Sequence, residues 1–177
     1  MSTERSWRLQ LSRGAGEVKD LGWLAGFFDG EGSICIPVCR GGVRRGEQRT
    51  PHVFLEVCVY STIELATRMY QERWGGRVRI LGGVRRPNPL TENPQPLWTW
   101  VVRSERAREF LIDVGPRLVL KRQQAALGLR FLDRRVTAER PGPGRPRSAA
   151  EVAEFEGLAE EMRALNARGK GRVREDA

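Results

Sequence analysis

Between Asp20 and Ser33 the chain reads DLGWLAGFFDGEGS, with Gly22, Gly26 and Gly30 four residues apart. Asp20 is placed to cap a helix running to about Asp29, and residues four apart share one face of it. Each interior glycine costs a helix about 1 kcal/mol relative to alanine. Three on one stripe therefore call for a structural return, and close approach of a second helix backbone supplies it. The second helix belongs either to this chain or to a second copy. Because the chain has only one such segment, the second copy is the better fit. That reading places Gly22, Gly26, Trp23 and Phe27 in a homodimer seam.

At the foot of the same helix stand Asp29 and Glu31. A carboxylate there faces the negative end of the helix dipole, which is unfavourable unless something positive compensates. A divalent cation would do so, with carboxylate and backbone oxygens as hard ligands. The alternative is a pair of solvated turn residues, and the local pattern leaves both open.

The remaining sequence bounds the setting. A length of 177 residues is enough for a sizeable core, and 40% hydrophobic with 30% charged residues is an ordinary globular balance. No apolar run approaches the roughly 18 residues of a membrane span, and Met1 to Gln10 does not resemble a signal peptide. The expected location is therefore the cytoplasm or an organelle. Cys35, Cys39 and Cys58 are too few for a disulfide scaffold. With His52 as the single histidine they make a weak zinc set, and small apolar residues in or near strands is the plainer reading. The net charge of +9 and pI of about 10.6 favour a polyanionic partner. Nearly all the cations are arginine, which suits phosphate and guanine contacts, although GC-rich coding would also enrich arginine.

Along the chain, residues 1–19 read as a basic arm. A strand is expected over Ser33–Cys39, then a basic tip over residues 40–51, then a cleanly alternating strand over His52–Tyr60. Ser61 and Glu64 form a capping box for a helix to about Trp74, stopped by Gly75-Gly76. Strands follow at about 77–84 and 97–103. Ser104 is placed to cap a helix ending near Gly115, and Pro116 to open a longer one reaching about Val136. Residues 139–147 read as a Pro/Gly/Arg linker. A second capping box, Ser148 with Glu151, opens a final helix to about Arg168, and residues 148–177 make up that helix and a tail. The order predicts an α+β fold with an αββαββα core over 20–138, an antiparallel saddle-shaped sheet with helices on one face, and extra C-terminal helices.

The segment WLAGFFDGEGS, Trp23 to Ser33, resembles the signature of the LAGLIDADG homing endonucleases, which ends in acid, small residue, acid, glycine. Residues Pro116 to Leu132 resemble the late helix of single-motif members from chloroplast introns. The resemblance implies that Glu31 binds the catalytic metal with the Gly30 carbonyl, that Asp29 is mainly structural, and that Lys121 reaches the active site. It implies Mg2+ or Mn2+ as cofactor, with Ca2+ supporting binding without cleavage. Two positions depart. Where close relatives hold catalytic water with a polar residue, often Gln or Asn, this chain has Ser61. Where a basic residue is expected early in the next helix it has Leu65, with Arg68 one turn on.

Together these readings predict an intron- or intein-associated nuclease that breaks both strands of a long, near-palindromic DNA as a homodimer, with no membrane and no small-molecule substrate. A two-stranded ribbon fits the major groove. The expected groove-facing set is Cys35, Pro37, Cys39, His52, Phe54, Glu56, Cys58, Arg77, Arg79 and Thr99, with Arg40, Arg44, Arg45, Gln48 and Arg49 at the tip; the alternative is that Phe54 and the cysteines merely pack and specificity lies at the tips. The competing readings are an RNA-splicing maturase and a non-catalytic DNA-binding regulator on the same fold.

Overall fold

The computed structural model describes residues 21–40, 43–44, 47–48, 51–81, 96–138 and 147–167. Helix α1 spans Leu21–Glu31, two residues beyond the expected end. Leu24, Ala25, Phe28 and Asp29 are buried along one side, while Gly22, Gly26 and Gly30 are exposed. The expected cap, Asp20, lies outside the described residues. At Gly32 a β-carbon would sit 2.4 Å from the Phe28 ring, so only glycine lets the chain turn directly from helix into strand.

A long hairpin follows. Its outgoing arm is β1 (Gly32–Cys35), β2 (Val38–Cys39) and β3 (Val43–Arg44). The returning arm is β4 (Glu47–Gln48), β5 (His52–Val53) and β6 (Glu56–Ser61). Gly32 lies opposite Val59, Val38 opposite Val53 and Arg44 opposite Glu47, so no residue is gained or lost between the three ladders. The expected strands Ser33–Cys39 and His52–Tyr60 are each broken near Pro37, which has no N–H to donate. Its carbonyl still accepts from Phe54 N at 3.4 Å. In the other direction pairing extends into the expected 40–51 tip, as far as Arg44 and Glu47.

Helix α2 (Glu64–Trp74) leads through Gly75 and Gly76, with φ of 67° and 85°, into β7 (Arg77–Leu81). A β-carbon on Gly76 would meet the Val101 carbonyl at 2.6 Å. Strand β8 (Leu97–Arg103) completes an antiparallel sheet of order β1-β6-β8-β7. Then come α3 (Glu105–Val114), a 3-10 turn at Gly115–Arg117, α4 (Arg122–Thr137) and α5 (Ala149–Ala167). The α+β expectation and the αββαββα order both hold. No described helix is long and apolar enough to cross a membrane.

The core lies between the sheet and the helices. Leu55, Val57, Val59, Trp100 and Val102 are buried on the sheet side. Against them pack Phe28, Tyr70, Trp74 and Phe110, whose rings approach one another and Trp100 at 4.8–6.4 Å. Tyr70 and Trp100 keep their polar atoms satisfied while buried. The Tyr70 hydroxyl donates to Leu24 O at 2.6 Å and Trp100 Nε1 to Gly75 O at 2.7 Å. Helix α5 closes on α4 through Phe155 against Phe131, and Asn166 Nδ2 donates to Ile34 O at 3.0 Å.

Three local expectations fail and one holds. Ser61 ends β6 and accepts from Ile63 N at 3.0 Å, while Glu64 pairs with Arg68, so no capping box forms. Ser104 precedes α3 at φ 51° without a side-chain cap, because its N–H goes to Leu55 O and its Oγ accepts from Arg135. The late helix starts at Arg122 rather than Pro116, because the N–H groups of residues 119–121 are taken by the Asp29 carboxylate. The Ser148–Glu151 box does form: each backbone N–H donates to the other side chain at 3.2 Å.

Candidate active site and nucleic-acid interface

The two acids at the foot of α1 behave differently. Asp29 is buried, at 8% exposure, and Glu31 is exposed. The Asp29 carboxylate accepts three backbone N–H bonds from a segment some ninety residues away: Val119 at 2.7 Å and Leu120 at 3.2 Å on Oδ2, and Lys121 at 3.0 Å on Oδ1. It thus holds the three residues that lead into α4, and those N–H groups account for the delayed helix start. Asp29 is structural, which leaves Glu31 as the free acid.

The same docking brings the Lys121 side chain to the foot of α1, where its Nζ donates to the Asp29 carbonyl. A cation on a last-turn carbonyl is favourable for the dipole. Burial lowers the Lys121 pKa from its ordinary value, and the negative charges of Asp29 and Glu31 oppose that shift. The expected pair of Glu31 and Lys121 is therefore brought to one helix end. Glu31 with the neighbouring Gly30 carbonyl presents hard oxygens beside an exposed helix terminus, a donor set that fits Mg2+, Mn2+ or Ca2+. One chain supplies only part of a coordination shell, so the remaining ligands would have to come from a second copy, a phosphate or water. Among the described residues there is no group of three His, Cys, Asp or Glu able to hold a metal.

The departures at Ser61 and Leu65 have structural content. Ser61 Oγ is engaged by Ile63 N, and the Arg68 guanidinium is tied to Glu64 at 2.9 Å and to Gln71 at 2.8 Å. Arg68 is thus not presented as a free cation replacing Leu65. On the far side of α1, β-carbons added at Gly26 or Gly30 would meet nothing within 4 Å. At Gly26 and Gly30 the stripe is therefore not spent on another described helix of this chain. Trp23 is 42% exposed beside it and stacks on Phe27 at 5.2 Å.

On the sheet face away from the helices, register places Cys35, Glu56 and Arg103 in one row; Ser33, Cys58, Val101 and Arg77 in the next; and Tyr60, Thr99 and Arg79 in a third. Arg77 and Arg79 are exposed, as are His52, Cys39 and Arg40. Arg40 lies 3.6 Å from Glu156 on α5. Arg44 and Gln48 stand opposite Glu47 and Val43 on the outermost rungs, while Arg45 and Arg49 lie outside the described residues.

Several expected groove contacts are covered. Thr99 has 0% exposure, because it sits on a central strand between the longer Tyr60 and Arg79, with its hydroxyl turned to Trp100 O. It is not a contact of the free face. Cys58 is buried, donating to Tyr60 Oη at 3.2 Å. Phe54 is also buried, under the Arg103 guanidinium 5.0 Å from its ring and against His52 at 5.1 Å. Glu56 is half-buried and engaged, at 2.5 Å from Arg103. Arg103 itself was missed, although the spacing 97, 99, 101, 103 puts it on the same side as Thr99. Cys35 donates to Glu56 O at 3.6 Å, and burial, with lesser contributions from Cys58 and Glu56, pushes its thiol up to about 12.

No family model and no curated protein matches the sequence. Solved structures do match the fold. A crystal structure of the homing endonuclease I-CvuI in complex with the I-CreI target in the presence of Mg, its DNA not cleaved, superposes with a TM-score of 0.61 at 22% identity, covering 89% of this chain and 86% of that one. I-CvuI in complex with its own target in the presence of Ca gives 0.59 at 23% identity, covering 89% and 87%. The homing endonuclease I-TnaI gives 0.53 at 15% identity, covering 84% and 97%. With helix α1 ending in Asp29-Gly30-Glu31 above an antiparallel four-stranded sheet, the chain has the fold of the LAGLIDADG homing endonucleases.

Proposed function

We infer that this chain is a site-specific, metal-dependent DNA endonuclease of the homing type, intron- or intein-associated, acting as a homodimer. The observation that carries this reading is the foot of α1, where Asp29 binds the segment before α4 and so sets the Lys121 ammonium beside the exposed Glu31. One acid in this position is merely structural; the other is left for chemistry.

In this reading two copies pack α1 against α1 through the stripe of Gly22, Gly26 and Gly30, bringing two Glu31 carboxylates together. Trp23 and Phe27 flank the seam. Each Glu31, with the Gly30 carbonyl, would hold a divalent cation, Mg2+ or Mn2+ for cutting and Ca2+ for binding alone. Such a cation supplies Lewis acidity and lowers the pKa of bound water. Lys121 offsets negative charge building on the phosphate being cut. Each copy cuts one strand, and the two-fold axis requires a near-palindromic target. The open sheet face, with Arg77, Arg79, His52 and the Arg103–Glu56 pair, lies along the major groove of double-stranded DNA, and Arg40 and Arg44 extend the contact along the ribbon.

The testing experiment is Glu31→Gln, scored for binding by mobility shift in Ca2+ and for cleavage in Mg2+. Binding retained with cleavage lost supports the assignment, and equal cleavage by both proteins overturns it. A second reading, a DNA-binding relative that does not cut, is favoured by Arg68 being tied to Glu64 and Gln71 with Leu65 standing in the expected basic position. It predicts binding without cleavage in the unaltered chain.

A further inference from the structure

Away from the foot of α1, a small pocket opens between β5, α4 and α5, lined by His52, Val53, Phe131, Arg135, Arg147 and Phe155 among others. We propose that it is a phosphate-binding site, with Arg147 and Arg135 as its charged donors and His52 at its mouth. Among the described residues, Arg147 Nη1 is the one buried side-chain polar atom without a hydrogen bond. An unmet donor of this kind is costly in a folded protein, and a charged one more so. Its guanidinium is held in place, 5.1 Å over the Phe155 ring. Glu151 forms an ion pair with it through Oε1 at 3.8 Å, beyond hydrogen-bond distance, while Glu151 Oε2 serves the Ser148 capping box. Arg135, from α4, reaches the same place and donates to Val53 O at 3.4 Å and to Ser104 Oγ at 3.1 Å, so its charge is anchored at the edge of β5.

The cations are close enough to act on one another's surroundings. The His52 pKa is lowered first by burial and then by Arg135, Arg103 and Arg147 in turn. A pocket that gathers positive charge and a spare N–H donor calls for an oxyanion, and the arginine fork matches a phosphate. The phosphate group has two sources, free phosphate or the backbone of bound DNA. The DNA source rests on the function inferred above; the site itself does not.

Because His52 is the chain's single histidine, its imidazole resonances are assigned without ambiguity and report on the mouth of this pocket, and the Arg147 variants separate the pocket from the neighbouring sheet face. Inorganic phosphate titrated into the full-length protein at constant ionic strength is expected to shift those resonances saturably and to raise the His52 pKa. Arg147→Gln should remove the saturation, and Arg147→Lys, which keeps the stem and charge, should restore part of it. If the DNA backbone is the source, bound duplex blocks the phosphate response, and Arg147→Gln lowers the slope of log affinity against log salt by about one. If free phosphate is the source, the response persists with DNA bound, and the site still stands. A His52 spectrum unmoved by phosphate, with unchanged DNA affinity and salt slope in Arg147→Gln, overturns the proposal.

Discussion

Asp29→Ala separates the two acids of the motif by stability rather than by activity. The buried carboxylate accepts three backbone N–H bonds, from Val119, Leu120 and Lys121. Hydrogen bonds to charged groups contribute about 1.5 kcal/mol each at the low end, so their loss together costs about 4.5 kcal/mol. Removing a negative charge from a helix C-terminus returns about 1 kcal/mol or less. The net loss is about 3.5 kcal/mol. For a chain of this size that corresponds to a fall in Tm of about 7–14 °C. Glu31→Gln, at an exposed position, should move stability by less than about 0.5 kcal/mol. Urea unfolding of both variants at one fixed protein concentration reads the difference, since dimerisation would otherwise contribute. A loss below about 1 kcal/mol for Asp29→Ala, or equal losses for the two variants, would refute the division into a structural and a chemical acid.

Other predictions concern packing, association and pH. Gly32→Ala should cost about 1–3 kcal/mol by overpacking against Phe28, read as a shifted urea midpoint. Gly26→Leu has open space in the single chain, so it should fold normally yet sediment as a monomer; a dimeric mutant removes the seam. Arg103→Ala strips the partner from Glu56 on the groove face and should weaken DNA binding in a mobility-shift titration, whereas unchanged affinity takes Arg103 out of the interface. His52 is held below its ordinary pKa by burial and nearby arginines, so the folded state binds fewer protons than the unfolded state just below pH 6.5. Stability should therefore fall as pH drops through that window, and His52→Gln should flatten the dependence in urea titrations at several pH values.

Elements set by local pattern were legible in the sequence. The expected strand at 97–103 matches β8 end to end, and the Ser148–Glu151 box needed only its own four residues. What escaped depends on partners far along the chain. Pro116 looked like a helix start because nothing nearby says that Asp29 will take the N–H groups of 119–121. Ser61 looked like a cap because pairing across β6 and β8, which runs to Ser61 opposite Trp98, is invisible locally. Alternation assigned Thr99 to the correct face of the sheet but could not show that Tyr60 and Arg79 cover it. The signature singled out Glu31 by resemblance; the structure shows a buried Asp29, an exposed Glu31 and Lys121 held at the same helix end.

The most direct test of the account is selection of cut sites from a randomised plasmid library, in Mg2+ and in chelator, with wild type and Glu31→Gln side by side. The account predicts double-strand cuts at one long near-palindromic sequence, made only by wild type and only with metal. Cutting that survives the chelator or the Glu31→Gln change, or recovery of bound but uncut DNA from wild type in Mg2+, would contradict it.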